Sequence, residues 1–186
     1  RMLVAALVVV ATLAGGLAMV GYGALRGGLS TRVEALPGEA WLASRARQVT
    51  LPRSERARVN PLPVTPASIA AGRAHFADHC ASCHANDGRG RTALGLGMYP
   101  KPPDMTGPET QRLSDGELFW VIRNGVRFTG MPAFGSGPPD KDDETWQLVH
   151  FIRRLPKLSD EELSEMRALN PVSRRELVAE EETEAF

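Results

Sequence analysis

The most apolar part of the sequence lies at its beginning, where residues 2–25 contain no charged side chain and are rich in Ala, Val, Leu and Gly. A helix of this length would extend roughly 36 Å at ~1.5 Å per residue, enough to cross a hydrocarbon core of ~30 Å. A cleaved signal peptide is the alternative, but its apolar region is usually only ~7–15 residues long. We therefore predict a transmembrane anchor over residues 1–26.

The rest of the chain carries helix signals, and no stretch alternates apolar and polar residues for long. Thr65 followed by Pro66 predicts the start of a helix that continues through Ala81, because Thr is a good N-cap and Pro is favoured at the first helical position. Residues 114–117 and 159–162 both have the spacing of a capping box, which predicts two more helix starts. The fold class predicted is all-α.

A further helix is predicted to begin at Asp142 or Asp143, since either carboxylate can cap the apolar stretch that follows. It would close a compact domain over residues 65–156. Residues 27–64 are predicted to be a linker interrupted by prolines, with a short helix near residues 39–49. This linker could lie along a neighbouring subunit or serve as a mobile spacer. Residues 157–186 form an acidic C-terminal tail.

Charge is balanced overall, with 22 basic and 22 acidic residues, so no strong field favours binding to nucleic acid. The distribution is uneven. Residues 26–58 contain seven Arg and three Glu, whereas residues 159–186 contain nine acidic residues and three Arg. Each of these segments is either a contact surface or simply solvated.

The two cysteines of the chain lie in the sequence Cys80-Ala81-Ser82-Cys83-His84, which is the C-x-x-C-H arrangement of covalent haem attachment. On a helix, residues three apart share a face, so both thiols can reach neighbouring vinyl groups on one porphyrin edge. The following His84 can then turn its imidazole toward the iron as the proximal ligand. A thioredoxin-like redox pair is the alternative, but its usual βαβ context is absent from this sequence.

An electron-carrying iron needs a sixth ligand, because an open position binds dioxygen or other small molecules. Met131 is the candidate, flanked by Gly130 and Pro132, which suit an irregular loop close to a haem face. A thioether is a soft ligand and raises the potential relative to His alone. Met98 and Met105 are rivals for this role, or could pack within their loop.

These motifs resemble those of the class I cytochromes c, and the likeness covers residues 65–156. The haem-binding motif of that family is matched by Cys80, Cys83 and His84, and its axial Gly-Met-Pro loop by residues 130–132. The resemblance implies one covalent haem c, with His84 and Met131 as iron ligands. The anchor, the linker and the tail lie outside the family pattern.

The resemblance also implies how the domain packs. Gly72 and Phe76 match the family positions where the N-terminal helix crosses the C-terminal one. The matching positions on the C-terminal helix are Leu148, Phe151 and Ile152. A family proline carbonyl orients the proximal imidazole, and either Pro102 or Pro103 would do so here.

Several other residues are candidates for contact with the haem or for packing. Candidates to hydrogen-bond the haem propionates are Tyr99, Arg112, Trp120 and Arg123, although Trp120 could equally belong to the core. The remaining histidines, His75, His79 and His150, are predicted to be surface or packing residues rather than iron ligands.

The function predicted is a membrane-anchored monohaem cytochrome c that carries single electrons in a respiratory chain, and not an enzyme in itself. It would be a subunit of a quinol-oxidising or terminal oxidase complex, or a tethered shuttle for one, with other subunits or redox proteins as partners. The resemblance places the haem domain on the periplasmic side of a bacterial inner membrane, held by a single-pass anchor. Two alternatives stay open: the electron-accepting subunit of a periplasmic dehydrogenase, and a haem-based ligand sensor or small-molecule enzyme whose methionine can be displaced.

Overall fold

A computed structural model describes residues 1–27, 30–33 and 37–171. Helices, turns and loops make up these residues, with no strand among them, which confirms the all-α prediction. The chain divides into two compact units, Arg1–Leu36 and Pro37–Phe186. The predictions for residues 172–186 of the acidic tail, and for residues 28–29 and 34–36 of the linker, lie outside the described residues.

The first unit contains one long helix, α1 (Met2–Gly27). Its segment Met2–Gly23 is 22 residues long and is apolar and long enough to cross a membrane. Its large apolar side chains are exposed, Leu17 by 77% and Val20 by 55%. A side-chain surface of this kind is stable in a hydrocarbon environment or under a cover of other apolar groups.

The second unit is built from short helices. They are α2 (Glu39–Thr50), α3 (Arg53–Arg56), α4 (Pro66–His75), α5 (Ala81–His84), α6 (Ala93–Leu96), α7 (Pro108–Gln111), α8 (Asp115–Asn124), α9 (Asp143–Arg154) and α10 (Asp160–Ala168). A π-helical turn, Phe76–Cys80, joins α4 to α5, and 3₁₀ turns occur at Pro139–Lys141 and Leu155–Lys157.

Side-chain caps begin the principal helices at the positions that the sequence predicts. The Thr65 hydroxyl accepts a hydrogen bond from the Ser68 amide at 3.1 Å, and both capping boxes, at Ser114 and Ser159, are formed. Of the two candidates for α9, Asp142 is the cap, accepting from the Thr145 amide at 3.2 Å. Such caps each contribute ~1 kcal/mol to helix stability.

The crossing of α4 and α9 forms the centre of the second unit, as the family resemblance implies. A Cβ at Gly72 would lie 2.1 Å from the backbone oxygen of Gln147, so only glycine allows the two helices to approach this closely. One turn further along, the rings of Phe76 and Phe151 pack with their centroids 5.2 Å apart. Both Phe side chains are fully buried, and burial of such a side chain contributes ~1.5–3 kcal/mol.

Residues before the predicted domain also pack onto it. Leu51 is buried, and the Asn60 side-chain amide donates to the Trp146 carbonyl at 3.0 Å. The Ser114 hydroxyl donates to the Arg56 carbonyl at 2.7 Å. A Cβ at Gly116 would lie 2.0 Å from the Glu55 carbonyl oxygen, so α3 lies directly against the start of α8.

The described part of the acidic tail is likewise attached to the domain. Met166 of α10 is fully buried, and Glu165 pairs with Arg73 of α4 at 2.7 Å. The Asn170 side-chain amide donates to the Ala77 carbonyl at 2.8 Å. Helix α10 therefore covers the segment that leads into the cysteines.

Candidate haem-binding site

The C-x-x-C-H motif lies at the end of one continuous helical segment formed by α4, the π-helical turn and α5. The segment ends at Ala85, whose amide donates to the Ala81 carbonyl at 2.8 Å and whose φ is 60°. The π-helical turn places one extra residue in the helix between Phe76 and Cys80. It therefore turns the side chains of the motif relative to the core face of α4, a feature that no signal in the sequence indicates.

The two thiols are free and partly exposed. Burial, together with a smaller contribution from the neighbouring Cys83, raises the pKa of the Cys80 thiol to about 12. Reactive redox cysteines show the opposite behaviour, because a lowered pKa is what makes the thiolate available for exchange. The environment of Cys80 therefore argues against a thioredoxin-like pair.

The imidazole of His84 is buried, with 8% of the residue exposed. Its ring lies next to Phe76, with the centroids 6.4 Å apart, and its Nδ1 is buried without a hydrogen-bond partner in the described part of the chain. Burial lowers the pKa of His84 to about 4, so the ring is neutral at physiological pH. A neutral, buried imidazole is suited to bind iron.

The structure lacks one feature that the family resemblance implies, a hydrogen bond from His84 to a proline carbonyl. Neither Pro102 nor Pro103 accepts a hydrogen bond from His84 Nδ1. The Pro102 carbonyl instead lies against Gly90, where a Cβ would be 2.7 Å from its oxygen. The expected hydrogen bond between imidazole and proline is therefore absent.

Hydrogen bonds connect the loop that follows the C-x-x-C-H motif to the backbone of the motif. The Gly90 amide donates to the His84 carbonyl at 2.7 Å, and the Thr92 hydroxyl donates to the Cys83 carbonyl at 3.3 Å. Gly95 fits only without a side chain, since a Cβ there would lie 2.5 Å from the Cys83 carbonyl oxygen. These contacts fix the end of the helical segment and with it the direction of His84.

Met131 lies on a tight loop between α8 and α9 and packs at the edge of the core. Its carbonyl accepts from the Val126 amide at 3.1 Å, and its amide donates to the Thr129 hydroxyl at 3.1 Å. Gly125 starts the loop with φ of 65°, and a Cβ there would be 2.7 Å from the Met131 carbonyl oxygen. The loop thus holds Met131 through its backbone.

The two rival methionines occupy different surroundings. Met105 is buried in the core, and its carbonyl accepts from the Gln111 side chain at 2.7 Å. The sulfur of Met98 lies 3.1 Å from where a Cβ of Gly130 would be, so this side chain covers the residue directly before Met131. Met98 therefore lies next to the Met131 loop, whereas Met105 packs in the hydrophobic core.

A buried ion pair fastens the base of the Met131 loop. Arg123 Nη1 lies 2.5 Å from Asp142 Oδ2, and the side chain of Asp142 is completely buried. The same guanidinium donates to the Gly137 carbonyl at 2.5 Å. Arg123 was predicted to contact a haem propionate, but in this structure its bonds go to the protein.

The other candidates for contact with a propionate, and the other histidines, also have different surroundings. The Tyr99 hydroxyl donates to the Glu39 carboxylate, Trp120 is half-buried and Arg112 is exposed. His150 is buried and bonds the Ser68 hydroxyl at 2.8 Å. His75 and His79 lie side by side before the motif, with centroids 4.9 Å apart.

The residues present fit a covalently attached porphyrin. Two free thiols and one neutral imidazole, whose Nδ1 has no hydrogen-bond partner among the described residues, emerge together from the end of one helical segment, and they are the groups that thioether attachment and axial ligation require. A family model described as cytochrome c oxidase, cbb3-type, subunit III matches residues 67–152. The chain carries a c-type cytochrome domain. No curated protein shows a significant match to the chain.

The matched residues of this cytochrome domain extend from α4 to α9, so they include the helix crossing, the C-x-x-C-H motif and the Met131 loop. A c-type cytochrome domain binds haem and carries electrons, which agrees with the predicted chemistry. The iron of a bound haem supplies a one-electron redox couple. The protein would contribute the attachment and the axial ligands, and Phe76 and the core next to Met131 provide a surrounding of low polarity.

Proposed function

We propose that this protein is a membrane-anchored monohaem cytochrome c that transfers single electrons in a bacterial respiratory chain, as a fixed subunit of a terminal oxidase. The observation that carries the proposal is the C-x-x-C-H motif at a helix end, where His84 is buried and its Nδ1 has no partner. The description of the matching family, subunit III of a cbb3-type oxidase, supports an oxidase over other electron acceptors.

Each site residue has a defined task in this proposal. Cys80 and Cys83 hold the porphyrin through thioether bonds, which keep it attached in both redox states. His84 and Met131 would be the two iron ligands from the protein, which would leave no position open to small molecules. Because a soft thioether favours the reduced ion, Met131 raises the potential and suits the domain to accept electrons from a respiratory donor.

The proposed location rests on α1. The 22 apolar residues of Met2–Gly23 are the proposed single-pass anchor. Haem c is attached outside the cytoplasm, as the resemblance to class I cytochromes implies, so the haem domain would be on the periplasmic side of the inner membrane. The length of this segment supports the anchor, because it is sufficient to cross the hydrocarbon core of a bilayer.

The first test is spectroscopic. The purified full-length chain, expressed in a host that attaches haem c, should give the pyridine haemochrome spectrum of a porphyrin with two thioether bonds, at one haem per chain. A spectrum without bound pigment, or with a vinyl-containing haem that extraction removes, would contradict the proposal.

The second test concerns the complex. The native membrane is solubilised in mild detergent, and the chain is purified with its partners. Oxygen consumption supported by a soluble electron donor is then measured. We expect oxidase subunits to co-purify in constant proportion and the haem to be oxidised at the rate of oxygen uptake. Co-purification with a substrate-specific dehydrogenase would instead favour the alternative of a dehydrogenase subunit.

A further inference from the structure

Helix α2 carries an apolar face that nothing in the described structure covers. Trp41, Leu42 and Val49 are 64%, 63% and 84% exposed. At 3.6 residues per turn their side chains leave the helix within an arc of ~100°. The guanidinium of Arg45 lies within the same arc, 5.8 Å from the centroid of the Trp41 ring. One helix face therefore combines an indole, two aliphatic side chains and a cation.

This orientation is fixed from the other side of the helix. The Glu39 carboxylate accepts from the Tyr99 hydroxyl, and Arg56 donates to the Gln48 carbonyl at 2.6 Å. Arg47 is half-buried, and Leu51 is buried directly after the last turn. Since these contacts hold the polar side against the cytochrome domain, the apolar face must point away from it.

The charges around α2 favour an anionic partner. Residues 26–58 contain seven Arg and three Glu. Glu39 is bonded to Tyr99, and Glu55 pairs with Arg58 at 2.8 Å. In contrast, Arg45, Arg47 and Arg53 form no ion pair with the described residues. Basic side chains next to Trp and aliphatic residues are typical of helices that lie at the boundary between lipid headgroups and acyl chains.

The chain itself keeps α2 near the membrane. Helix α1 ends at Gly27 and α2 begins at Glu39. Even when fully extended, the twelve residue steps between them reach no more than about 40 Å. If α1 is the anchor of the proposed function, the start of α2 is always within this distance of a lipid surface.

From these observations we propose that α2 is an interfacial helix, which lies on the outer surface of the membrane. Trp41, Leu42 and Val49 enter the headgroup boundary, and Arg45 contacts the phosphates of anionic lipids. The inference goes beyond electron transfer and rests on the proposed function only for the anchor. Because α2 is bonded to the cytochrome domain, its attachment to lipid would restrict how the domain turns above the membrane.

Labelling of single cysteines tests the proposal. The haem-loaded full chain is placed in nanodiscs of phosphatidylcholine, with or without an equal amount of phosphatidylglycerol, and treated with a water-soluble maleimide. The L42C variant reports on the apolar face. The matched control is V59C, because Val59 is an equally apolar side chain, 80% exposed and outside any helix. Labelling of each site is measured by peptide mass spectrometry.

We expect Leu42→Cys to react at least tenfold more slowly than Val59→Cys in discs that contain phosphatidylglycerol. When Arg45→Gln is added to L42C, the labelling rate at position 42 should increase at least threefold in these discs. Equal rates for the two sites would overturn the proposal, as would slow labelling of L42C that appears only when other subunits are present, because a protein would then cover the face. Two observations on the wild-type chain separate failure of this proposal from failure of the proposed function. A chain that does not co-elute with the discs is not anchored, and labelling of Cys80 and Cys83 would show that haem is not attached, whatever the result at residue 42.

Discussion

The two candidate axial ligands of this cytochrome domain are held in different ways. His84 ends a helical segment that begins at Thr65 and crosses α9 at Gly72, so its position depends on the core. Met131 lies on a loop whose neighbours Gly130 and Pro132 are exposed, and its position depends on a few backbone hydrogen bonds. One ligand is therefore set by packing and the other by loop geometry.

Because of this difference, we expect substitutions and local opening to affect the surroundings of His84 and of Met131 differently. Packing interactions are numerous and cooperative, so a single surface substitution hardly affects the His84 side. A loop held by a few bonds can open locally at a free-energy cost well below that of global unfolding. We expect the Met131 side to be the one that loosens first, and Arg123 with Asp142 to determine how easily it does so.

The largest effect should come from the attachment on the His84 side. Replacing both Cys80 and Cys83 by Ala removes the only thiols of the chain, so no thioether bond can form and we expect no covalently bound haem. The haem stain of a denaturing gel and the pyridine haemochrome spectrum measure this directly. Ser82→Ala is the matched control, because this exposed residue lies between the cysteines, and its variant should keep one haem per chain. Stable haem incorporation without either thiol would contradict the assignment.

The next effect concerns the base of the Met131 loop. Arg123→Met leaves the fully buried carboxylate of Asp142 without its cation, and breaking such a pair costs about 3 kcal/mol. Urea unfolding should show this loss, together with earlier loss of the weak red-edge absorption band that marks a bond between oxidised haem iron and methionine sulfur. Arg154→Met removes a more exposed pair with Glu162 and should cost less than about 1 kcal/mol. Similar losses in both variants would mean that the buried pair has no special role.

The third effect decides between the two methionines near the loop. Met131→Ala should leave the haem attached but lower its potential by on the order of 0.1 V, because the identity of the axial ligand is a principal determinant of potential. For one electron this corresponds to about 2.3 kcal/mol. Met98→Ala is the control, since its sulfur lies over Gly130, and should change the potential much less. Potentiometric titration followed by absorbance measures both, and a large drop in the Met98 variant alone would reassign the ligand.

Much of the helical framework is encoded in local signals that can be recognised in the sequence. The caps at Thr65, Ser114 and Ser159 act within three residues of themselves, so their spacing alone predicts where helices begin. The crossing at Gly72 and Phe76 was predicted from the family resemblance, because close approach requires a glycine. The axial roles of His84 and Met131 stay predictions until a ligand is observed.

Other features depend on contacts between distant parts of the chain, which no local pattern reveals. Met166 looks like a tail residue in the sequence but is fully buried, and Asn170 bonds the Ala77 carbonyl 93 residues away. Nothing in the sequence around Arg123 indicates that it pairs with Asp142 rather than with a haem propionate. The π-helical turn likewise lacks a sequence signal, since its residues would also fit a regular α-helix.

The smallest predicted effect lies at the tip of the Met131 loop, where Phe128 has φ of 62° and is 93% exposed. A side chain in this left-handed region costs roughly 1–2 kcal/mol, and the ring gains little by burial in return. Phe128→Gly removes this cost but adds backbone freedom to the unfolded chain, worth ~0.5–1 kcal/mol. We therefore expect Phe128→Gly to be more stable than Phe128→Ala by about 0.5–1 kcal/mol, since Ala keeps the Cβ. Urea unfolding of the two variants measures the difference, and a more stable Ala variant would show that the loop does not hold this conformation in solution.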